Sequence, residues 1–243
     1  MLRALLSGDK VKRQALLNRQ RDYLRLSSNL ELLKFHSVID DLLQKANEHW
    51  GAYDYGQSYF YQGYKELGLS GLRNTEARIE AMGLLDIVAG KSIFEVGMNT
   101  GFLSMQLAAS ARHVTGVEIN PFLVEIAQYT AEYLEYENFS FVTSSFEDIK
   151  VEQRYEVLLS FANHSTYDGQ TSQDLDQYFA KCHGMLEHNG IMVFESHARG
   201  FEHPSVEHTF EIMSHRFKIG DKKLLDYGTE LDRGRTMAIA SPL

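Results

Sequence analysis

The chain has 243 residues, 44% of them apolar, and a formal net charge of −9. The apolar share supports a sizeable core and excludes global disorder, while the length fits one domain of about 150–200 residues plus an appendage. The acidic balance disfavours tracking a phosphate backbone, and the single cysteine, Cys182, excludes an intrachain disulfide and any Cys-x-x-Cys zinc site.

The first 50 residues read as helical. Leu16, Leu17, Leu24, Leu30, Leu33, Val38, Leu42 and Leu43 recur at helical intervals among charges. This pattern suits a helical cap on the main domain, a dimerisation arm giving a homodimer, or a substrate lid. The N-terminus, MLRALLSGDKVKRQ, has no signal-peptide core, and no apolar run approaches the roughly 18–20 residues of a membrane span, so a cytoplasmic location is expected. Residues 50–70 are rich in tyrosine and glycine and read as neither helix nor strand. The segment 75–88 reads as one helix with Thr75 as N-cap and Glu76 in its first turn. The division expected is an N-terminal cap and lid over 1–74 and a main domain over 75–243.

Strand and helix signals then alternate. Strands are expected at Ser92–Val96, His113–Glu118, Phe139–Thr143, Val157–Phe161 and Ile191–Glu195. Helices are expected at Phe102–Ser110, at Pro121–Glu135 with proline in its first turn, and at Gln173–Leu186, closed by Asn189-Gly190. An irregular stretch at about 199–215 precedes strand-like Phe217–Ile219 and Thr236–Ala240. This order is that of an α/β fold with a doubly wound, mostly parallel sheet.

Residues 91–108, KSIFEVGMNTGFLSMQLA, carry the sharpest motif. An apolar strand ends on Glu95, a glycine turn runs from Gly97 through Asn99 to Gly101, and a helix starts at Phe102. Such a turn aims backbone N–H groups and a helix N-terminus at a bound cofactor. Dinucleotide sites want G-x-G-x-x-G, yet Phe102 occupies the third glycine position, leaving E-x-G-x-x-x-G. That pattern resembles motif I of the class I S-adenosylmethionine-dependent methyltransferases. The resemblance implies S-adenosyl-L-methionine as cofactor and a seven-stranded Rossmann-like sheet ending in an antiparallel edge pair. It also implies that Glu95 accepts from the amino group of the methionine moiety. Asn99 stands where the family usually has glycine, and asparagine tolerates the left-handed region well.

Downstream, RHVTGVEINPFLVEIAQ ends its strand on Glu118, seventeen residues after Gly101. The resemblance assigns Glu118 to the two ribose hydroxyls, with Ile119 beside it and Asn120 and Phe122 toward the adenine. In FVTSSFEDI, Ser145 takes the position of the family's acidic adenine contact, followed by Phe146 and Glu147; Phe161, ending the fourth strand, completes the set. Upstream, YFYQGYKELGLSGLRNTEARIEAMGL is similar to the stretch before motif I in a bacterial subgroup found with surface-polysaccharide biosynthesis. By that similarity an aromatic, Tyr61, and an arginine close over the cofactor, the arginine binding its carboxylate through paired donors. Arg73 is the first candidate and Arg78 the alternative.

The acceptor should face the ends of the fourth and fifth strands. Asn163 and His164 follow the fourth strand, and Glu195 and His197 end the fifth on one face. His164 is the leading base, with His197 and Glu195 as further catalytic candidates, because histidine titrates in the range suited to a hydroxyl proton. His203 and His208 lie among Glu202, Glu207 and Glu211, but the spacing matches no metal motif, and no metal is expected. The 199–215 segment is the natural substrate selector. The function expected is methyl transfer to a small-molecule or glycan acceptor, at oxygen. Two alternatives stay open: a tRNA wobble-uridine-type RNA methyltransferase, which the acidic charge disfavours, and a cofactor-binding protein without catalysis.

Overall fold

A computed structural model of the chain describes residues 2–26, 28–52, 54–150, 152–165, 171–198, 204–226 and 231–243, with side chains from residue 10 onward. Two helices open the fold, α1 (Leu2–Leu26) and α2 (Leu30–His49). Asn29 caps α2 by accepting from the Leu32 N–H at 3.1 Å. The inner face of α2 packs on the main body: Phe35 stacks on Tyr129 at 5.6 Å and meets Tyr133 at 4.5 Å. One apolar cluster therefore runs from Ala15, Phe35 and Ile39 into Val114, Val124 and Ile126.

The stretch 75–88 is two helices, α3 (Thr75–Met82) and α4 (Leu84–Val88), because Gly83 adopts φ +64° between them. The N-cap of α3 is Asn74, which accepts from Ala77 N–H. Thr75 is the first helical residue, and its hydroxyl oxygen accepts instead from Gly63 N–H at 2.9 Å.

The sheet follows with β1 (Ser92–Val96), α5 (Phe102–Ala108), β2 (His113–Glu118), α6 (Pro121–Tyr133), β3 (Phe139–Thr143), β4 (Tyr155–Phe161), α7 (Leu175–Gly184) and β5 (Leu186–Glu195). Proline sits at the start of α6, as expected. The chain closes with α8 (Val206–Met213), β6 (Phe217–Ile219), β7 (Lys223–Leu225) and β8 (Arg235–Pro242). The strand order is β3-β2-β1-β4-β5-β8-β6, with β7 paired to β8. Pairings among β1 to β5 are parallel, and β8 runs antiparallel to β5, β6 and β7. The sheet thus has eight strands where seven were expected, the addition being the short β7.

Two further boundaries differ from the sequence reading. Helix α7 ends at Gly184, so Asn189-Gly190 lies inside β5, where the pairing shifts from Tyr155↔Leu186 to Val157↔Ile191. An Asn-Gly pair therefore marks an irregularity in a strand here, not a helix stop. Residues 206–213 of the supposed irregular segment form α8, capped by Ser205. Its first residues, 199–203 and with them His203, lie outside the described residues. The buried central strands bring Glu95, Glu118, Phe161 and Glu195 to one end of the sheet, the carboxyl end of the parallel strands.

Candidate active site

The turn after β1 builds the first half of the site. Gly97, Asn99 and Gly101 have φ of +61°, +56° and +69°. At Gly97 a side chain is also excluded by contact: an added Cβ would lie 2.9 Å from the Asn163 Oδ1. Asn163, just past β4, donates to the Val96 carbonyl and so ties the two strand ends together. Glu118 faces this turn. Asn99 N–H donates to one of its carboxylate oxygens and Asn120 N–H to the other, both at 3.0 Å. These bonds fix the plane of a half-buried carboxylate at the mouth of the turn.

Glu95 is buried and accepts from the Ser104 hydroxyl on α5. Burial raises its pKa to about 7, and Glu118 adds to this; the Ser104 bond and the Arg78 charge oppose it. The carboxyl is thus poised between protonated and ionised near neutral pH, so a cation placed against it would draw it to the ionised form.

The segment between α2 and α3 closes over the turn. Gln62, which sequence reasoning did not single out, donates to Met98 carbonyl and accepts from Leu103 N–H, each at 3.2 Å. One buried side chain therefore clamps both ends of the motif turn to this segment. Its signal in the sequence is nil, because glutamine at that point serves any exposed loop equally well.

Beside this segment lies a buried charge cluster. Arg73 donates to Asp232 at 2.5 Å and to both Glu195 oxygens, at 3.0 and 3.4 Å. Arg78 also donates to Glu195, and Arg235 approaches it at 3.7 Å while donating to Ser196 carbonyl at 3.0 Å. Desolvation would raise the Glu195 pKa, but Arg73, Arg78 and Arg235 outweigh it and hold the carboxyl well below the usual range. Glu195 thus comes together with the arginines, and it is their guanidiniums that hold it. Arg235 and Asp232 were not foreseen, since both lie more than 150 residues from Arg73 in sequence, and the Arg73–Asp232 bond spans 159 residues.

Arg78 has spare capacity. Its guanidinium carbon sits 4.3 Å from the centre of the Phe161 ring, and its buried Nε makes no hydrogen bond among the described residues. Tyr61 stands over Arg73, ring centre to guanidinium carbon 5.8 Å. Burial alone would raise the Tyr61 pKa, yet Arg73, Arg235 and Arg78 lower it on balance.

The second half of the site lies past β4 and β5. His164 and His197 face each other with ring centres 4.8 Å apart, and Phe194 lies 5.0 Å from His164. His197 Nε2 pairs with Ser165 carbonyl at 2.9 Å, whereas the buried His164 Nδ1 has no hydrogen-bond partner among the described residues. Burial, then the charges of His197 and Arg235, depress His164 to about 3, and burial, then Arg235, depress His197 to about 4 against the opposing Ser165 bond and Glu195. Ala162, between β4 and these groups, is held at φ +59°, a strained conformation of the sort that collects at functional sites.

The remaining expected residues are more dispersed. Asn120 caps α6, accepting from Phe122 N–H at 3.0 Å, and Ile119 lies half-buried beside Glu118. Phe122 has the His49 ring of α2 at 6.2 Å. The Ser145 hydroxyl donates to Asp148 at 2.6 Å, and Phe146 packs on Tyr178 at 5.2 Å. Glu147 accepts from Ser172 hydroxyl at 2.7 Å and Gln173 N–H at 2.9 Å. Desolvation would raise its pKa, but those bonds and Lys181 hold it low.

Comparison with known proteins agrees with this architecture. A family model described as a methyltransferase domain matches residues 87–229. The N-methyltransferase NodS from Bradyrhizobium japonicum WM9, in complex with S-adenosyl-l-homocysteine, superposes with TM-score 0.59 at 13% identity, over 69% of this chain and 86% of its own. The PH0226 protein of Pyrococcus horikoshii OT3 gives 0.57 at 12%, over 69% and 91%. An S-adenosylmethionine-dependent methyltransferase of Clostridium acetobutylicum ATCC 824 gives 0.54 at 11%, over 69% and 90%. At such identities these likenesses concern the fold. No protein of curated function matches the sequence.

Proposed function

Since the chain belongs to the class I methyltransferase family, whose methyl donor is S-adenosylmethionine, we propose that it methylates a hydroxyl of a small-molecule or saccharide acceptor. The observation that carries the acceptor reading is the histidine pair beyond β4 and β5. Both imidazoles are neutral at physiological pH, and His164 keeps a buried ring nitrogen without a partner among the described residues. A neutral acceptor nitrogen suits a hydroxyl, which needs one hydrogen bond to orient it and one proton removed.

The residues present fit the donor. Glu118, its plane fixed by two backbone N–H groups, offers two oxygens to a ribose diol. Glu95 offers a carboxylate to an ammonium, and the unpaired Nε of Arg78 offers a donor to a carboxylate. Of the two arginines, Arg78 takes that role and Arg73 positions it, because Arg73 already bridges Asp232 and Glu195. When bound, the sulfonium supplies an electrophilic methyl group. The chain contributes in-line positioning and exclusion of water, worth several kcal/mol by proximity alone. His164 accepts the hydroxyl's hydrogen bond and holds the oxygen in place. Methylation leaves a protonated ether, a far stronger acid than imidazolium even at a pKa of about 3, so His164 takes that proton without assistance. The acidic net charge fits an acceptor other than a polyphosphate chain.

Calorimetry with S-adenosylmethionine and a methyl-release assay over glycan, small-molecule and tRNA pools test this reading. Glu118→Ala should weaken donor binding at least tenfold, and His164→Ala should lower turnover with binding intact. Wild-type turnover of His164→Ala on the true acceptor would refute the histidine assignment, and methylation confined to tRNA would refute the acceptor class.

A further inference from the structure

The outward face of α1 is used by nothing described so far. Its inward stripe is Ala15, Asn18, Asp22 and Leu26, all buried. Asn18 donates to Gly71 carbonyl at 2.6 Å, and Asp22 accepts from Ser70 N–H at 2.8 Å and from the Tyr59 hydroxyl. The helix is therefore bound firmly to the segment that carries Tyr61 and Arg73.

The opposite side is exposed and carries four large apolar side chains, with Arg13 and Gln20 set among them. Leu16 is 57% exposed, Tyr23 69% and Leu24 72%, with Leu17 beside them. At 100° per residue these four fall within an arc of about 120° pointing away from the body. Six of the ten large apolar side chains exposed among the described residues lie between Leu16 and Val38. Such concentration on one helical hairpin is not the scatter of an ordinary surface.

Cations border this stripe on both sides. Lys10, Arg21 and Arg25 lie along one edge and Lys12 and Arg19 along the other, all exposed. Residues 10–26 hold six Lys and Arg against one acid, Asp22, whose carboxylate is turned inward. Among the described side chains, Arg19 pairs with Asp40 at 3.9 Å and the other cations of this stretch make no ion pair. The rest of the chain carries the whole negative excess.

We propose that α1 docks the protein on an anionic lipid surface, its leucines and Tyr23 entering the headgroup boundary and its flanking cations meeting phosphate groups. An exposed face of leucines and a tyrosine, interspersed with and edged by Lys and Arg on a helix of low mean hydropathy, is the pattern of a helix that lies in a membrane interface. Pairing with α1 of a second copy would set guanidinium against guanidinium. Because Asn18 and Asp22 lock α1 to the lid, docking the helix docks the whole domain.

The test is flotation of the full chain with vesicles of phosphatidylcholine alone and with roughly one quarter phosphatidylglycerol, at about 0.1 and 0.5 M salt. The expected result is flotation with the anionic vesicles, reduced at least about tenfold by the higher salt or by neutral vesicles. Leu17→Glu/Leu24→Glu and Arg21→Glu/Arg25→Glu should each lower it to a similar extent. Both variants should keep the thermal midpoint and donor affinity of the wild type, since all four side chains are exposed. Absence of flotation, or flotation unchanged in either variant, overturns the proposal. So does a wild-type dimer in light scattering that Leu17→Glu/Leu24→Glu converts to monomer, which would assign the stripe to a second copy.

Discussion

The pKa of Glu95 gives the sharpest handle on donor binding. In the free protein its buried carboxyl titrates at about 7. A donor ammonium held against it requires the ionised form, so binding below pH 7 must expel a proton. Between pH 7.5 and 5.5 the fraction ready to bind falls about twenty-fivefold, which is ~2 kcal/mol of binding free energy. Affinity for S-adenosylmethionine should therefore weaken by about that factor over this range. At pH 6.5, calorimetry in two buffers of different ionisation enthalpy should show release of about 0.8 of a proton per donor bound. His164 and His197 do not confuse the readout, because both titrate below this window. Glu95→Gln should bind about tenfold to a hundredfold more weakly at pH 7.5, through loss of a charged hydrogen bond, with a flattened pH profile. A wild-type affinity independent of pH would refute the reasoning, as would a Glu95→Gln profile with the wild-type slope.

The same group predicts a stability effect of opposite appearance. The folded state binds more protons than the unfolded state between the ordinary carboxylate value of 4.5 and about 7, so stability falls as pH rises through that window. Glu95→Gln should be more stable than the wild type by up to about 3 kcal/mol at pH 8 in urea titrations, with the gap below about 1 kcal/mol at pH 5. The two arginines should separate cleanly. Arg73→Met and Arg78→Met both leave Glu195 less compensated, but the first also strips Asp232 and should cost about 3–5 kcal/mol of stability, whereas the second should cost less and should raise the donor Kd by tenfold or more. Equal loss of stability in both would contradict the division of roles. Asp22→Asn should raise the KM for the donor several-fold with little change in kcat, because Asp22 braces the lid at Tyr59 and Ser70. A change in kcat alone would show that the brace acts elsewhere.

Much of the cofactor half was legible because its elements are local. A strand, a turn needing positive φ and a helix start are encoded within eleven residues, Ser92 to Phe102. The Asn99 departure was readable for the same reason, since one residue's left-handed tolerance decides it. The misplacements were also local but ambiguous. Asn189-Gly190 serves a helix stop or a strand irregularity equally well, and only the pairing with Tyr155 and Val157 chose between them. Thr75 and Asn74 are both good caps, and the bond from Gly63 N–H to the Thr75 hydroxyl left the cap to Asn74.

By itself the sequence determined the class of fold and the kind of donor, because hydrophobic period and turn chemistry act over a few residues. Tertiary structure decided which charges meet. Glu195 reads in sequence as a catalytic candidate on one face with His197, yet Arg73, Arg78 and Arg235 converge on it from distant segments. Burial, which no spacing discloses, raised Glu95 to about 7 and lowered His164 to about 3. Packing alone chose the inward stripe of α1, and so left its leucines and arginines together on the outer face. Desolvation and long-range pairing are properties of the folded interior, and they set the chemistry that the motif could only locate.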